Sequence, residues 1–465
     1  MTTALDAKVL AARAVGELAR RAGRSGGTSL PGEVLTRLEP NAIERLAARL
    51  QGGTAVISAT NGKTTTAAMA ASVLQRSGVR LVHNRAGANM AGGIAATLLA
   101  AARRRDSIDG ELGLFEIDEF WLDRVSPQLH PRAMVLGNLF RDQLDRFGEL
   151  DAIADRWAAL VRRLTDTRLV LNADDPLIAD LGRERAGVTY FGIEDPSMAS
   201  AQMQHASDSK HCRRCGAAYV YAAIYLGHLG RYSCPACGQR RPQPAVAAER
   251  IALNGTRSAQ FGLRTPAGAA TVSLPLPGLY NVYNALAAAT LCLELGFGLK
   301  QIVAGLEAVS AAFGRAEVVE LDGIELSILL IKNPAGANEI LRTLVLEPGE
   351  HDVVAILNDR SADGRDISWI WDADFELLGP RVRRITCAGT RAAELALRLK
   401  YARVPVDRLH VVPELSPALD EALRGASNGR VYALPTYTAL LELRDELARR
   451  GLVNQFWAGE AGARA

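Results

Sequence analysis

The sequence is poor in aromatic residues, in net charge, in cysteine and in long apolar runs. Each shortage excludes something. A net charge of +3 over 465 residues is too small for a large nucleic-acid footprint. No uninterrupted apolar stretch reaches the ~18 residues of a membrane-spanning helix, so no transmembrane segment is expected. Near the N-terminus Asp6, Lys8, Arg13 and Glu17 break up any apolar core, which argues against a signal peptide. A cytoplasmic protein is the expectation. What is abundant is Ala, Leu, Arg and Gly. With 48% hydrophobic and 23% charged residues, this is a soluble globular composition with room for two or three domains, each burying its own core.

A missing glycine marks the most informative motif, Thr54-Ala-Val-Ile-Ser-Ala-Thr-Asn-Gly-Lys-Thr-Thr-Thr66. The apolar stretch Ala55 to Ile57 breaks into a small polar turn at Ser58 to Gly62, then enters an Ala-rich helical segment from Thr65 to Leu74. Strand, phosphate loop and helix follow in order. Backbone N–H groups of the turn, through Thr60, Asn61, Gly62 and Thr65, face an anion. Lys63 supplies a point charge to the outer phosphates, and the Thr64 hydroxyl can ligate Mg²⁺. The full pattern has a further Gly where this chain has Ile57, with Ala59 and Thr60 as the small loop residues. A chance Gly-Lys-Thr at a helix start is the plainer reading, and the strand-turn-helix context opposes it. The shortened loop points to ATP and to one subset of ATPases.

Cysteine is scarce, yet four of the six are spaced as two knuckles, Cys212-Arg-Arg-Cys215 and Cys234-Pro-Ala-Cys237. That is the four-thiolate spacing of a zinc ribbon, in which each knuckle gives two sulfurs to one tetrahedral ion. Gly216 and Gly238 follow each second Cys, where a tight turn favours a residue without Cβ. Ala217 to Ile224 and Arg231 to Ser233 read as short strands. Disulfides are not expected in a cytosolic chain. Four thiolates close the coordination sphere, so His211 and His228 are left out and the zinc reads as a structural staple. Cys292 and Cys387 lie in apolar segments and read as core residues.

Four regions separate along the chain. Residues 1–50 form an N-terminal helical arm, with amphipathic stretches around 4–22 and 40–50 split by a loop from Gly23 to Gly32. Its reading is packing without chemistry; a place at a membrane surface is the alternative, though Asp6 and Glu17 dilute its basic face. Residues 51–312 alternate strand and helix patterns, with short apolar runs at Leu81–His83, Leu112–Ile117, Ala133–Leu136 and Leu169–Leu171. This alternation predicts an α/β domain built on a mostly parallel sheet with helices on both faces. The ribbon interrupts it at about 205–242, between a polar lead-in and a basic, Pro-containing exit. Residues 313–465 form a second α/β block, with strands near Leu326–Ile331, Val353–Leu357, Arg384–Ala388, His410–Val412 and Arg430–Leu434. The tail from Gly459 reads as frayed.

Polar clusters follow several of these strands, where open α/β sheets place ligands. Glu116-Ile-Asp-Glu119 ends one strand, and a carboxylate there, Glu116, can reach Mg²⁺ beside the loop. Asn138-Leu-Phe-Arg-Asp-Gln-Leu-Asp145 and Asn172-Ala-Asp-Asp-Pro176 follow the next two, and Gly278-Leu-Tyr-Asn-Val-Tyr-Asn-Ala-Leu286 sets Asn281 and Asn284 at a helix start. Each alone is no better than a turn or a cap. In this order, with Ala59-Thr-Asn-Gly-Lys-Thr-Thr65 and Gly314-Arg315, they resemble the Mur ligase family, the ATP-dependent amino-acid ligases of peptidoglycan assembly. The resemblance spans roughly residues 50–450. It implies a central P-loop ATPase domain and a Rossmann-like C-terminal α/β domain, with Asn281 and Asn284 by the nucleotide and Arg315 at the hinge.

The chain also departs from ordinary members. Gln143 stands where they carry the His of an Asp-His pair that holds a second metal. Between Arg146 and Arg168 there is no lysine to match their carbamylated one, and residues 1–50 are too few for their N-terminal nucleotide-sugar domain. With the four cysteines, these departures resemble one subgroup, the synthetase subunits that amidate lipid II together with a glutamine amidotransferase. Lys332-Asn-Pro-Ala-Gly-Ala-Asn338 and the string from Asn358 to Glu376 are similar to that subgroup's signatures. The resemblance implies that ATP phosphorylates the free α-carboxylate of the D-glutamate in the lipid II stem and that ammonia displaces the phosphate. It further implies a heterodimer with a GatD-type amidotransferase that releases ammonia from glutamine, action at the inner face of the cell membrane, and no nucleic-acid partner. Asp366 matches the aspartate that completes the partner's Cys–His pair; Asp359, Asp363, Asp372 and Asp374 lie near it, and the resemblance alone selects among them. Two other readings stand beside this one. One is a self-sufficient ligase that joins an amino acid to a carboxylate. The other is a nucleic-acid-binding NTPase, using Arg213, Arg214, Arg231, Arg240 and Arg241 with the tyrosines of the ribbon.

Overall fold

A computed structural model describes residues 4–21, 29–84, 88–103, 107–142, 150–200, 203, 207–309, 315–426 and 428–453. In the first half the strands are β1 (Thr54–Ser58), β2 (Leu81–His83), β3 (Leu112–Glu116), β4 (Ala133–Leu136), β5 (Arg168–Asn172), β6 (Val188–Ile193), β7 (Val220–Leu226), β8 (Leu229–Ser233), β9 (Val246–Asn254), β10 (Ser258–Thr265) and β11 (Gly268–Leu274). Nine of them form one sheet in the order β11-β10-β9-β6-β5-β4-β1-β3-β2. The run from β2 to β9 is parallel throughout. Its central strands are short apolar runs because both faces are covered. In β1, Ala55 and Ile57 face one buried cluster and Val56 faces the other, as the two-residue period of a strand requires.

The edge differs from expectation. The strands β9, β10 and β11 pair antiparallel, and their half-exposed residues hide them from a search for apolar runs. Helices Lys63–Arg76, Leu279–Glu294 and Leu299–Glu307 cover one face of the sheet. Helices Ala91–Ala101, Leu122–Leu129 and Leu150–Arg163 cover the other, with the N-terminal arm packed outside them.

The arm is three helices, Ala4–Arg21, Leu30–Leu38 and Ala42–Ala47, rather than two. The loop expected to run to Gly32 ends before Leu30. Pro31 sits in the first turn of the second helix, where its missing N–H would have no helical partner anyway. Gly32 then lets that helix meet Ala91–Ala101 closely: a Cβ there would lie 1.9 Å from the Gly92 carbonyl oxygen. Leu5, Val9, Leu35, Ile43 and Leu46 are all buried, so the arm is core.

A second sheet begins beyond these helices, with β12 (Arg315–Leu321), β13 (Ile324–Leu329), β14 (His351–Ile356), β15 (Val382–Ala388), β16 (Leu409–Val411) and β17 (Arg430–Pro435). Its order is β12-β13-β17-β14-β15-β16, parallel except for the β12–β13 hairpin. Helices Pro334–Val345 and Ala392–Tyr401 pack on one face, Leu415–Arg424 and Tyr437–Arg449 on the other. No described helix is long and apolar enough to cross a membrane.

Candidate active site

Strand β1 delivers the chain into the turn Ala59–Gly62, and the helix Lys63–Arg76 starts at once. Gly62 has φ +86°, a left-handed conformation that glycine tolerates. It also has no room for a side chain, since a Cβ would lie 2.0 Å from Asn284 Oδ1. The following loop clamps the turn. Thr60 N–H donates to the Asn138 carbonyl at 3.0 Å, and Phe140 N–H to Thr60 Oγ1 at 3.1 Å. Asn138 Oδ1 accepts from Asn61 N–H at 2.9 Å, while its Nδ2 donates to the Asn61 carbonyl at 2.9 Å. The N–H groups of Thr60 and Asn61, expected to face an anion, are therefore taken up by Asn138, and those of the helix start from Gly62 to Thr65 stand over the preset loop, a shape suited to an anion.

Lys63 is buried and its Nζ donates to the Ala59 carbonyl at 2.9 Å and to Glu119 Oε2 at 2.7 Å. Burial opposes its charge, but Glu119, Asp118 and Glu116 outweigh it and raise its pKa. Burial raises the pKa of Glu119 too, against the pull of Lys63. This is a site with more carboxylate than cation. Glu116 is 2% exposed and set by Asn84, whose Oδ1 accepts from its N–H at 2.9 Å and whose Nδ2 donates to its carbonyl at 2.8 Å. Its Oε1 accepts from Asn89 at 3.3 Å, while Oε2 is buried with no hydrogen-bond partner. An orphaned carboxylate oxygen is costly unless something cationic completes it. Glu116 and Thr64 line the same cavity, so the pair fits Mg²⁺.

That cavity holds about 800 Å³ and lies between the two sheets. Thr60, Asn61, Gly62, Lys63, Thr64 and Thr65 line one side, with Asn281 and Asn284. Asn281 donates to the Pro277 carbonyl at 2.7 Å and accepts from Asn284 at 3.0 Å, which fixes both amides at their helix start. The volume lies within the range of small-molecule sites, roughly 300–1,000 Å³. The opposite wall comes from the C-terminal half, through the segment after β13 and the helices Pro334–Val345 and Tyr437–Arg449. Lys332 pairs with Asp142, and Asn333 bonds Asn61. Asp142, Glu119, Lys332 and Asn333 were not singled out for any role from sequence. Lys332 and Asn333 sit in a string noted only for its similarity, and their meeting with the loop is a tertiary event.

Not every motif reaches the cavity. In Asn172–Pro176, Asp174 is fully buried and binds Arg241, Ile193 N–H and the Tyr283 hydroxyl. Asp175 caps the helix Pro176–Asp180 through Leu177 N–H at 2.9 Å and also accepts Leu139 N–H at 2.9 Å. Both are braces behind the site. Arg315 opens β12, while Gly314 and Gln143 lie outside the described residues.

The four cysteines converge. Their sulfurs lie within 4.8 Å of one another, with Cys212 to Cys237 at 3.5 Å and Cys215 to Cys234 at 3.4 Å, and none forms a disulfide. A tetrahedral zinc thiolate has Zn–S of about 2.3 Å and hence S–S edges of about 3.8 Å. The donor set and spacing fit that ion. The knuckles flank the β7–β8 hairpin, which leaves the main sheet between its neighbouring strands β6 and β9. Four of the five arginines around it are engaged, Arg213 with Asp155, Arg214 with Asp180, and Arg231 and Arg241 with Glu194, while Arg240 is exposed. That leaves little of the basic face a nucleic-acid reading would need.

Known proteins resemble this chain in sequence and in fold. Residues 57–234 match the Mur ligase middle domain, and residues 330–440 match the MurT ligase C-terminal family. The lipid II isoglutaminyl synthase (glutamine-hydrolyzing) subunit MurT of Staphylococcus aureus (strain N315) is 35% identical over 437 residues, covering 93% of this chain and 96% of its own length. The chain belongs to the MurT family. The MurT subunit of Streptococcus pneumoniae (strain ATCC BAA-255 / R6) is 32% identical over 450 residues, covering 96% of this chain and 98% of its own. The fold also matches MurF ligase of Thermotoga maritima in complex with ADP, with a TM-score of 0.62 and 15% identity over 90% of this chain and 85% of that one.

The MurT-type string from Asn358 to Glu376 lies after β14. Three of its five aspartates are tied into the fold. Asp359 binds Arg391 at 2.7 Å, Asp363 accepts Thr438 N–H at 2.7 Å, and Asp374 accepts from Asn338 at 3.1 Å. Asp366 is exposed, and its Oδ1 accepts Ser368 N–H at 2.8 Å within its own turn. Ser368 thereby holds its carboxyl below the usual carboxylate range. Ser361 and Ala362 of this stretch line the cavity, whereas Asp366 faces outward.

Proposed function

We propose that this chain is the synthetase subunit of a lipid II isoglutaminyl synthase, amidating the α-carboxylate of the stem D-glutamate to D-isoglutamine. The observation that carries the reading is its likeness to MurT subunits over nearly the whole of both chains, phosphate loop and C-terminal string together. ATP and Mg²⁺ supply the transferable phosphoryl group and the charge neutralisation of its transfer. The N–H groups of Gly62 and Thr65 hold the phosphates, Thr60 and Asn61 line the cavity beside them, and Lys63 steadies the outer ones. Thr64 and Glu116 would hold the metal, and Glu116 Oε2 is buried with no hydrogen-bond partner. The stem carboxylate takes the phosphoryl group, and ammonia then displaces phosphate from the acyl phosphate. Asn281 and Asn284 border the nucleotide, and Arg315 lies at the hinge.

The chain offers no glutaminase of its own that sequence reasoning can recognise, so ammonia comes from a GatD-type amidotransferase in a heterodimer. Asp366 orients and charge-stabilises the histidine of that partner. Its exposed, ionised carboxyl suits a role toward another chain. Reaction takes place at the inner face of the membrane, where lipid II is presented. The domains divide at 50/51 and 312/313; the C-terminal one is Rossmann-like, and the four cysteines form a structural zinc ribbon. The test mixes purified chain, amidotransferase, ATP, glutamine and lipid II, and follows the small mass loss of an acid-to-amide exchange in the stem. An unchanged stem refutes the reading.

A further inference from the structure

We propose that the turn Gly227–His228 of the cysteine-bearing hairpin is a strut that keeps the phosphate loop in its nucleotide-binding shape, with His228 as a positioning residue. This goes beyond amidation and rests only on the nucleotide-binding part of the proposed function. His228 is fully buried, and neither ring nitrogen has a hydrogen-bond partner. A histidine placed so does not earn its position by hydrogen bonding. Its ring lies against Phe140 instead, with centroids 4.7 Å apart at 51°, and its Nε2 is 3.4 Å from Asp175 Oδ2.

Both neighbours act on the loop. Phe140 N–H donates to Thr60 Oγ1 at 3.1 Å, and Asp175 Oδ2 accepts the Leu139 N–H at 2.9 Å. The segment Asn138–Phe140 that clamps Thr60 and Asn61 is thus pressed from behind by the ribbon. A second strand of contacts runs parallel. Gly230 N–H donates to the Asp174 carbonyl at 2.9 Å, and the Asp174 carboxylate accepts the Tyr283 hydroxyl at 2.7 Å. Tyr283 stands beside Asn284, the residue packed on Gly62.

The hairpin is itself held at its far end. Gln239 Oε1 lies 3.0 Å from Cys212 Sγ and accepts from the Tyr219 hydroxyl at 2.9 Å. Tyr219 and Tyr232 pack with ring centroids 5.2 Å apart, and the Tyr221 hydroxyl donates to the His228 carbonyl at 2.9 Å. Packed groups therefore run without a gap from the knuckles to the loop.

The test uses the full chain with ADP as the probe. Titration calorimetry is run on wild type, His228→Ala and His228→Phe, with melting curves for each. Losing one ring contact should weaken ADP binding roughly 3- to 10-fold in His228→Ala, while His228→Phe stays within about 2-fold of wild type. Hydrogen exchange should quicken at the Phe140 and Thr60 amides in His228→Ala and stay unchanged in β14, which a general loss of stability would not produce. If the Ala variant does not fold, His228→Leu fills similar space without a ring and takes its place. A folded ringless variant with wild-type ADP affinity overturns the strut alone. A wild-type chain that does not bind ADP overturns both the strut and the proposed function.

Discussion

Asn61 and Asn333 stand 272 residues apart in sequence and hold each other by two hydrogen bonds. Asn333 Nδ2 donates to Asn61 Oδ1 at 2.9 Å, and Asn61 Nδ2 donates to Asn333 Oδ1 at 3.3 Å. One of these amides belongs to the phosphate loop, the other to the N-terminus of helix Pro334–Val345. The start of that helix therefore touches the loop directly. Asn333 Oδ1 also caps its own helix through Gly336 N–H at 2.9 Å.

The two duties of Asn333 can be separated. Asn333→Asp keeps the cap but loses the donor to Asn61 and adds negative charge near the phosphates. Its melting temperature should stay near wild type while KM for ATP rises about tenfold. Asn333→Ala also loses the cap, for a further destabilisation of about 1 kcal/mol. Equal ATP KM in wild type and Asn333→Asp would separate this contact from nucleotide binding.

Lys63 and Glu119 form a buried pair whose members cannot be removed singly without penalty. Lys63→Met should abolish ATP turnover and, by stranding the Glu119 carboxylate, destabilise the chain by about 3–5 kcal/mol. Lys63→Met with Glu119→Gln should recover most of that stability and none of the turnover. Denaturant melts of the two variants decide it; equal stabilities would show that Glu119 does not depend on Lys63.

Asp366→Asn should leave folding and ATP binding untouched, since its visible partner is Ser368 in the same turn. Stability should change by less than about 0.5 kcal/mol. Gel filtration with the amidotransferase should still yield the complex, while glutamine hydrolysis is lost. Undiminished hydrolysis would remove Asp366 from the shared site.

Glu347, just past helix Pro334–Val345, ties the C-terminal half to the β9–β10 turn, accepting Thr256 N–H at 2.6 Å and the Thr256 hydroxyl at 2.7 Å. Burial raises its pKa, but Thr256, Arg430 and Arg257 outweigh it and leave the value below the ordinary 4.5. A depressed acid stabilises the fold fully above its unfolded pKa and loses that contribution as pH falls through the folded one. The wild type should therefore be more stable than Glu347→Gln at pH ~7, with the gap closing on acidification below the ordinary carboxylate range. Thermal melts across pH check this, and a gap that widens in acid would contradict it.

Much of the site was legible because its parts are local. Thr60 to Thr65 follow a strand and open a helix within one short window, so Gly62 and Lys63 could be picked out as candidates on spacing alone. Two Cys-x-x-Cys turns announce a ligand set in the same way. Asn281, Asn284 and Glu116 needed the order of motifs, and the cavity wall includes all three. The hairpins β9–β11 escaped notice because their outward residues dilute any apolar run. Gly32 looked like loop and is helix, because its missing side chain serves the contact with Gly92.

The sequence by itself determined that this chain carries a shortened phosphate loop, a carboxylate strand end and a four-cysteine cluster. Those features depend on neighbours a few residues away, whose geometry the backbone fixes locally. Only the tertiary structure decided that Lys332 meets Asp142 across 190 residues, that Asn333 grips Asn61, and that His228 stands behind Phe140. Such pairs have no spacing to read. They exist because two sheets and a hairpin close around one cavity, and a contact made by closure is set by packing rather than by any segment alone.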